Sequence, residues 1–101
     1  MIPVKDFKKE VIKWAEEIGV EPREIHVRPM RKKWASCSSR GRLSFSYALL
    51  AQPEDVRSYA IVHELLHLKY PTHNKLFKRA LSAYLSRSGI KDSEVIKGVH
   101  S

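Results

Sequence analysis

The sequence has little cysteine and no long apolar run, and each shortage excludes a class of protein. Its one cysteine, Cys37, cannot form a disulfide within the chain. A single cysteine also excludes a zinc site built from several cysteines. No apolar run approaches the roughly 20 residues of a membrane-spanning helix. The start MIPVKDFKKE also lacks the apolar stretch of a signal peptide. We therefore expect a cytoplasmic protein without a membrane segment.

The remaining composition is typical of one folded domain with a basic surface. Of 101 residues, 43% are hydrophobic and 30% are charged, which excludes a disordered chain and leaves room for one small domain. One Asn and one Gln beside many Lys, Arg and Glu resemble the composition of hyperthermophile proteins. The net charge of +8 fits either a solvated surface or attraction to nucleic acid. We favour the solvated surface, because no aromatic-basic reading motif is present.

Hydrophobic periodicity predicts an α+β fold. Apolar residues three and four positions apart from Val4 to Ile18, followed by Gly19, predict an amphipathic helix. The segment EIHVRPM (24–30) predicts a strand that Pro29 restricts to an edge or an end. KKWASCSS and RLSFSYALL are separated by Arg40-Gly41 and predict a hairpin or a short meander.

Two further helices are predicted after these strands. Pro53, Glu54 and Asp55 favour a helix start, and the segment that follows is apolar on more than one face, which places this helix at the centre. HNKLFKRALSAYLSR predicts another helix, with an apolar stripe formed by Leu76, Phe77, Ala80, Leu81 and Tyr84. The predicted domain is residues 1–88, and residues 89–101 are a predicted tail. We expect the junction, Ser88-Gly89, to be flexible.

The central helix carries the pattern H-E-x-x-H at His63, Glu64 and His67. Four residues advance a helix by about 400°, so the imidazoles lie roughly 40° apart on one face and can bind one ion. A hydrolytic zinc site uses three protein ligands and leaves one position to water. Glu64 is then placed to act as a general base. The alternative is a packed core helix, which would bury two imidazoles and a carboxylate at a cost in free energy.

His73 is the first candidate for the third ligand. On an unbroken helix it would be rotated about 240° from His67. Pro71 should end the helix, and Thr72 can cap a new helix that opens near His73. A surface histidine at a helix start is the alternative interpretation of His73. The other possible ligands are His26 and His100.

The segment with the three histidines, HELLHLKYPTH, follows KKWASCSSRGRLSFSYALLAQP. Together these segments resemble the minigluzincins, a family of minimal soluble metallopeptidases related to YgjP-like proteins and to HtpX-type catalytic domains. The resemblance covers the whole chain and is most specific at Trp34 to Ser38 and at the three histidines. It implies a small single-domain zincin-like fold, with a three-stranded, mostly antiparallel sheet packed on an N-terminal, a central active-site and a C-terminal helix. It also implies zinc as cofactor, a histidine as third ligand, which matches His73, and latency imposed by the C-terminal segment.

A metzincin has the same spacing from His67 to His73, but Tyr70 stands in place of its glycine and no methionine follows the motif. The sequence therefore predicts a zinc-dependent endopeptidase of minigluzincin type, with residues 1–88 as catalytic domain. Its tail would cover the active site and offers His100 and the terminal carboxylate as metal ligands.

The predicted substrate is a peptide or unfolded protein, bound along an edge strand from the segment Lys33 to Tyr47. Tyr70 and Tyr84 are candidates for stabilising the oxyanion by side-chain type alone. Two other classes of function stay open. One is a nucleic-acid-associated basic protein or an SprT-like protease that acts on proteins bound to nucleic acid. The other is a metal-bound scaffold without activity.

Overall fold

The computed structural model describes residues 1–90, which form three helices and a three-stranded sheet. In chain order the elements are α1 (Val4–Ile18), β1 (Glu24–Arg28), β2 (Ala35–Cys37), β3 (Arg42–Ser46), α2 (Glu54–Leu66) and α3 (Lys75–Arg87), with a 3-10 helix at Tyr47–Ala51. Helix α1 ends as predicted, because Gly19 adopts a left-handed conformation (φ 84°) and donates its N–H to the Ala15 carbonyl. The predicted α+β class is confirmed.

The sheet has the strand order β1-β3-β2. Strands β2 and β3 form the predicted hairpin and pair antiparallel, with Ala35 opposite Phe45. Strand β1 pairs parallel with β3, with Glu24 opposite Arg42. The sheet is thus mixed rather than mostly antiparallel, because the chain reverses twice after β1 and then inserts β3 between the two earlier strands.

The predicted extended run RLSFSYALL is a strand only as far as Ser46. The Ser46 hydroxyl accepts a hydrogen bond from the Ala48 N–H at 3.2 Å, and the 3-10 helix follows. A serine side chain that bonds its local backbone in this way offers an alternative to the sheet ladder. The 3-10 helix buries Leu49 and Leu50. The apolar residues at the end of this run are therefore buried by a short helix rather than by a longer strand.

Helix α2 lies at the centre of the fold, as predicted. Nine consecutive residues, Ser58 to Leu66, are buried. Helix α1 packs beside α2 and the core face of the sheet, where the rings of Phe7 and Phe45 meet edge to face at 5.1 Å. Arg57 on α2 donates from Nε to the Glu10 carboxylate at 3.0 Å and so ties α1 to the start of α2. The H-E-x-x-H pattern is therefore carried by the most enclosed helix of the described residues.

Helix α3 departs from the prediction at both ends. The predicted cap Thr72 is wrong, because Asn74 caps the helix by accepting the Phe77 N–H at 2.9 Å. Leu76 is 58% exposed and does not belong to the apolar stripe, whereas Leu85 is fully buried. Ser88-Gly89 is also an ordered helix end rather than a flexible start: Gly89 has φ 73°, and the Ile90 N–H donates to the Leu85 carbonyl at 2.9 Å. The domain boundary after residue 88 stays a prediction.

No helix within residues 1–90 combines the length and apolar character that crossing a membrane requires.

Candidate metal centre

The ends of α2 and α3 bring three imidazoles together. His63 lies in the last turns of α2, His67 caps its C-terminus, and His73 precedes the cap of α3. One potential ligand atom from each residue lies within 4.8 Å of the other two. The Nε2 atoms of His67 and His73 are 3.0 Å apart. The break that Pro71 predicts is present, and it returns His73 to the motif.

This donor set fits zinc. Zn–N bonds of about 2.0–2.1 Å in tetrahedral geometry place two ligand nitrogens roughly 3.3 Å apart, close to the separation of His67 and His73. Although His73 is an exposed residue, partial desolvation of its ring and the nearby His63 and His67 lower its pKa. A lowered pKa keeps the imidazole neutral, which is the form that binds metal.

Glu64 is buried beside this cluster, at 1% exposure, in a cleft of about 320 Å³. Its Oε2 lies 3.2 Å from Nδ1 of His63. A carboxylate can accept a hydrogen bond from Nδ1–H of His63, and in that tautomer the ring offers Nε2 to a metal. Glu64 thus contacts one predicted ligand and also faces the cleft.

Strand β2 forms the opposite wall of the cleft, through Ser36, Cys37 and the adjoining Ser38. Burial and the Glu64 carboxylate raise the pKa of Cys37 to about 11. At neutral pH and without a metal ion, Cys37 is therefore an uncharged thiol, which is a poor nucleophile.

Sequence reasoning missed two aromatic supports of the histidines. The ring centroid of Phe77 lies 5.1 Å from that of His63 and 4.8 Å from those of His67 and His73. Tyr59 stacks on His63 at 5.9 Å. A signal was present for Tyr59, which precedes His63 by four residues on α2, one helical turn. Phe77 follows His73 by four residues, but His73 lies before the cap of α3, so helical spacing does not relate the two.

The other predicted residues lie elsewhere. His26 is on β1, where its Nε2 lies 3.7 Å from a Glu24 carboxylate oxygen, and His100 is outside the described residues. The ring of Tyr70 lies beside Lys69, and the ring of Tyr84 lies beside Arg87. Among the described residues that line the cleft there is no tyrosine.

Comparison with known proteins points to one family. Residues 4–93 match the model of the YgjP-like metallopeptidase domain. The crystal structure of the metallopeptidase zymogen of Pyrococcus abyssi abylysin is similar with a TM-score of 0.72 and 23% identity, over 91% of this chain and 94% of that chain. The metallopeptidase zymogen of Methanocaldococcus jannaschii jannalysin has a TM-score of 0.72 and 28% identity, over 81% and 84%. No curated protein sequence matches the chain.

Proposed function

Since this chain belongs to the YgjP-like metallopeptidase domain family and is a metallopeptidase, we propose that it is a zinc-dependent endopeptidase of the HExxH type. The observation that carries this proposal is the cluster of three imidazoles beside a buried carboxylate in an open cleft. His63, His67 and His73 would hold the metal. When bound, zinc would supply a Lewis acid for the scissile carbonyl and would acidify water.

Glu64 performs the proton transfers. Glu64 is not one of the three potential metal ligands. Its carboxylate faces the cleft in which the peptide would lie. As general base, Glu64 accepts a proton from water, and it then donates that proton to the leaving amine nitrogen. The hydrogen bond from Nδ1 of His63 holds the carboxylate in place for both steps.

The substrate backbone pairs with β2. The order β1-β3-β2 puts β3 in the middle of the sheet. Within the predicted segment Lys33 to Tyr47, β2 therefore has an edge beside the cleft that no other described strand occupies. An extended peptide adds to such an edge through main-chain hydrogen bonds. This mode accepts many sequences, as expected of an enzyme that cleaves unfolded proteins.

We also propose that the enzyme is latent. The two similar structures are described as zymogens. Eleven residues follow Ile90, and at about 3.3 Å per residue they extend far enough to cross a molecule whose described extents are 31 × 30 × 25 Å. In this proposal His100 of the tail competes with substrate in the cleft.

Metal content tests the ligand assignment. We expect about one zinc per purified chain, and loss of that zinc in His63→Ala, His67→Ala and His73→Ala, because removal of one ligand from three weakens binding strongly. His26→Ala is the matched control, since His26 is a half-exposed histidine outside the cluster, and it should keep the metal. Stoichiometric zinc in His63→Ala or His67→Ala would contradict the assignment.

Activity tests the role of Glu64. Glu64→Gln should keep zinc and fold but lower the rate of peptide cleavage by about 10²–10⁴-fold, the usual contribution of a general base. The measurement is cleavage of an unfolded protein at equal zinc occupancy. Cleavage at the wild-type rate would assign the base to another residue.

A further inference from the structure

The positive charge of the chain is concentrated in the sheet and its loops. Residues 22–42 contain seven basic residues and one acidic residue, a net charge of +6, which leaves only +2 of the total of +8 for the other 80 residues. The seven are Arg23, Arg28, Arg31, Lys32, Lys33, Arg40 and Arg42, and all are exposed. The three helices together contribute only +2, because the −2 of α2 offsets part of the +4 of α3 and α1 is neutral. The sheet and its loops are therefore the most basic part of the chain.

Within residues 1–90, the face of the sheet that points away from the helices is open. On β1 the exposed residues are Glu24, His26 and Arg28, while the residues between them are partly buried against the core. The register places His26 beside Ser44 and Ser44 beside Ser36 on this face. A groove of about 490 Å³ runs across it, lined by serines at its floor and by His26, Arg28 and Arg42.

This groove is continuous with the catalytic cleft. Ser36, Cys37 and Ser38 of the β2 hairpin line both the groove and the cleft. Lys33, just before β2, lines the cleft itself. Side chains alternate between the two faces of a strand, so a peptide paired with β2 would direct every second side chain towards the basic face.

The basic residues of the segment 22–42 are largely available to a partner. Within residues 1–90, Arg42 forms an ion pair with Glu24, and the other six basic residues of the segment form none with a carboxylate. Like-signed, exposed and unneutralised charges attract a polyanion and do not stabilise the fold.

We propose that the open face of the sheet binds acidic residues that flank the scissile bond, so that the preferred substrates are unfolded polypeptides rich in Asp and Glu. The inference rests on the proposed function for the cleft, but the binding face is a separate set of residues. A polypeptide fits better than a nucleic acid because the groove continues into the peptidase cleft. No Phe, Tyr or Trp for base stacking lines the groove among the described residues.

Paired peptides test the preference. Two peptides share one central sequence and carry either Glu or Gln on both flanks. At low salt we expect kcat/KM to be about three- to tenfold higher for the Glu peptide, through KM, and the difference should shrink at 0.5 M salt because exposed charges are screened. Equal kcat/KM for the two peptides at low salt would overturn the proposal.

Charge variants locate the effect. Arg28→Gln with Arg42→Gln removes two charges from the groove and should bring the ratio of the two kcat/KM values close to one. Lys5→Gln with Lys9→Gln removes the same charge from exposed positions on α1 and should leave that ratio unchanged. An equal loss in both double variants would show a net-charge effect and would contradict a defined binding face.

Binding separates this inference from the proposed function. Fluorescence anisotropy with the full-length Glu64→Gln chain needs no cleavage, and it should show tighter binding of the Glu peptide, lost when Arg28→Gln and Arg42→Gln are added. Failure of both the full-length chain and the chain truncated after Ile90 to cleave either peptide, together with this binding, would reject only the peptidase proposal. If single-stranded DNA binds through Arg28 and Arg42 and the Glu peptide does not displace it, the partner is a nucleic acid and the inference is wrong.

Discussion

Cys37 is a residue whose acidity the cleft alters strongly. Its pKa is raised to about 11 by burial and by Glu64. At pH 8.5 such a thiol has roughly 80-fold less thiolate than one of pKa 9, but its thiolate is more nucleophilic, so we expect alkylation about tenfold slower than in the unfolded chain. Mass spectrometry of metal-free protein treated with iodoacetamide, with and without denaturant, measures this ratio.

The single cysteine makes that readout unambiguous, and Glu64→Gln provides the control. Without the carboxylate the folded chain should be alkylated faster, because the negative charge that disfavours the thiolate is gone. Equal rates in folded and unfolded wild type would mean that Cys37 does not lie against the buried carboxylate.

At the residue scale, the sequence predicted what local geometry determines. His63, Glu64 and His67 lie on one helix, so their relative positions follow from the rise and twist of that helix. The place of Cys37 could not be predicted in the same way, because the cleft joins β2 to α2 across more than twenty residues of chain. Packing between distant elements carries no periodic signal along the sequence.

At the scale of elements, the N-terminus of α3 fixes the position of His73. Asn74 caps this helix and adjoins His73, while Phe77 one turn later supports all three imidazoles. We expect Asn74→Ala to cost about 1 kcal/mol of unfolding free energy. That corresponds to a fall of roughly 4–8 °C in Tm. We also expect weaker zinc binding, since the segment that holds His73 loses its anchor.

Thermal unfolding and zinc titration of three variants check this prediction. Asn74→Ser keeps a capping oxygen and should behave nearly as wild type. Leu76→Ala changes an exposed residue of the same helix turn and should alter the stability by no more than about 0.5 kcal/mol. A wild-type Tm in Asn74→Ala would show that the cap does not stabilise α3.

Elements were predicted well where a long periodic pattern existed and poorly where it was short. Helices α1 and α2 followed from their apolar spacing and end signals. The strand of RLSFSYALL was too long in the prediction because a short apolar run fits either a strand or a turn of helix. The exposure of Leu76 depends on how α3 is rotated about its own axis where it packs against α2. The apolar stripe of α3 alone does not determine this rotation to better than one residue position.

At the scale of the whole molecule, the proposed latency makes the substrate and the tail compete for one cleft. Substrate reaches β2 from solution, whereas a chain's own tail is present at an effective concentration in the millimolar range when it is tethered nearby. The charge distribution adds to this competition, because the basic face beside the cleft attracts acidic substrates more strongly than a tail whose two lysines offset its two acidic residues. Acidic unfolded proteins are therefore the substrates expected to displace the tail most easily.

Truncation after Ile90 tests the latency. Ile90 must be retained, because its N–H caps α3 and its side chain packs against the core. The truncated chain should cleave an unfolded protein at least about tenfold faster than the full-length chain at equal zinc occupancy, since an intramolecular competitor has been removed. A synthetic peptide of residues 91–101 added in trans should restore inhibition, and the same peptide with His100→Ala should do so less well if that imidazole reaches the metal. Equal rates for truncated and full-length protein would reject an inhibitory tail, and cleavage by neither would reject the proposed peptidase activity itself.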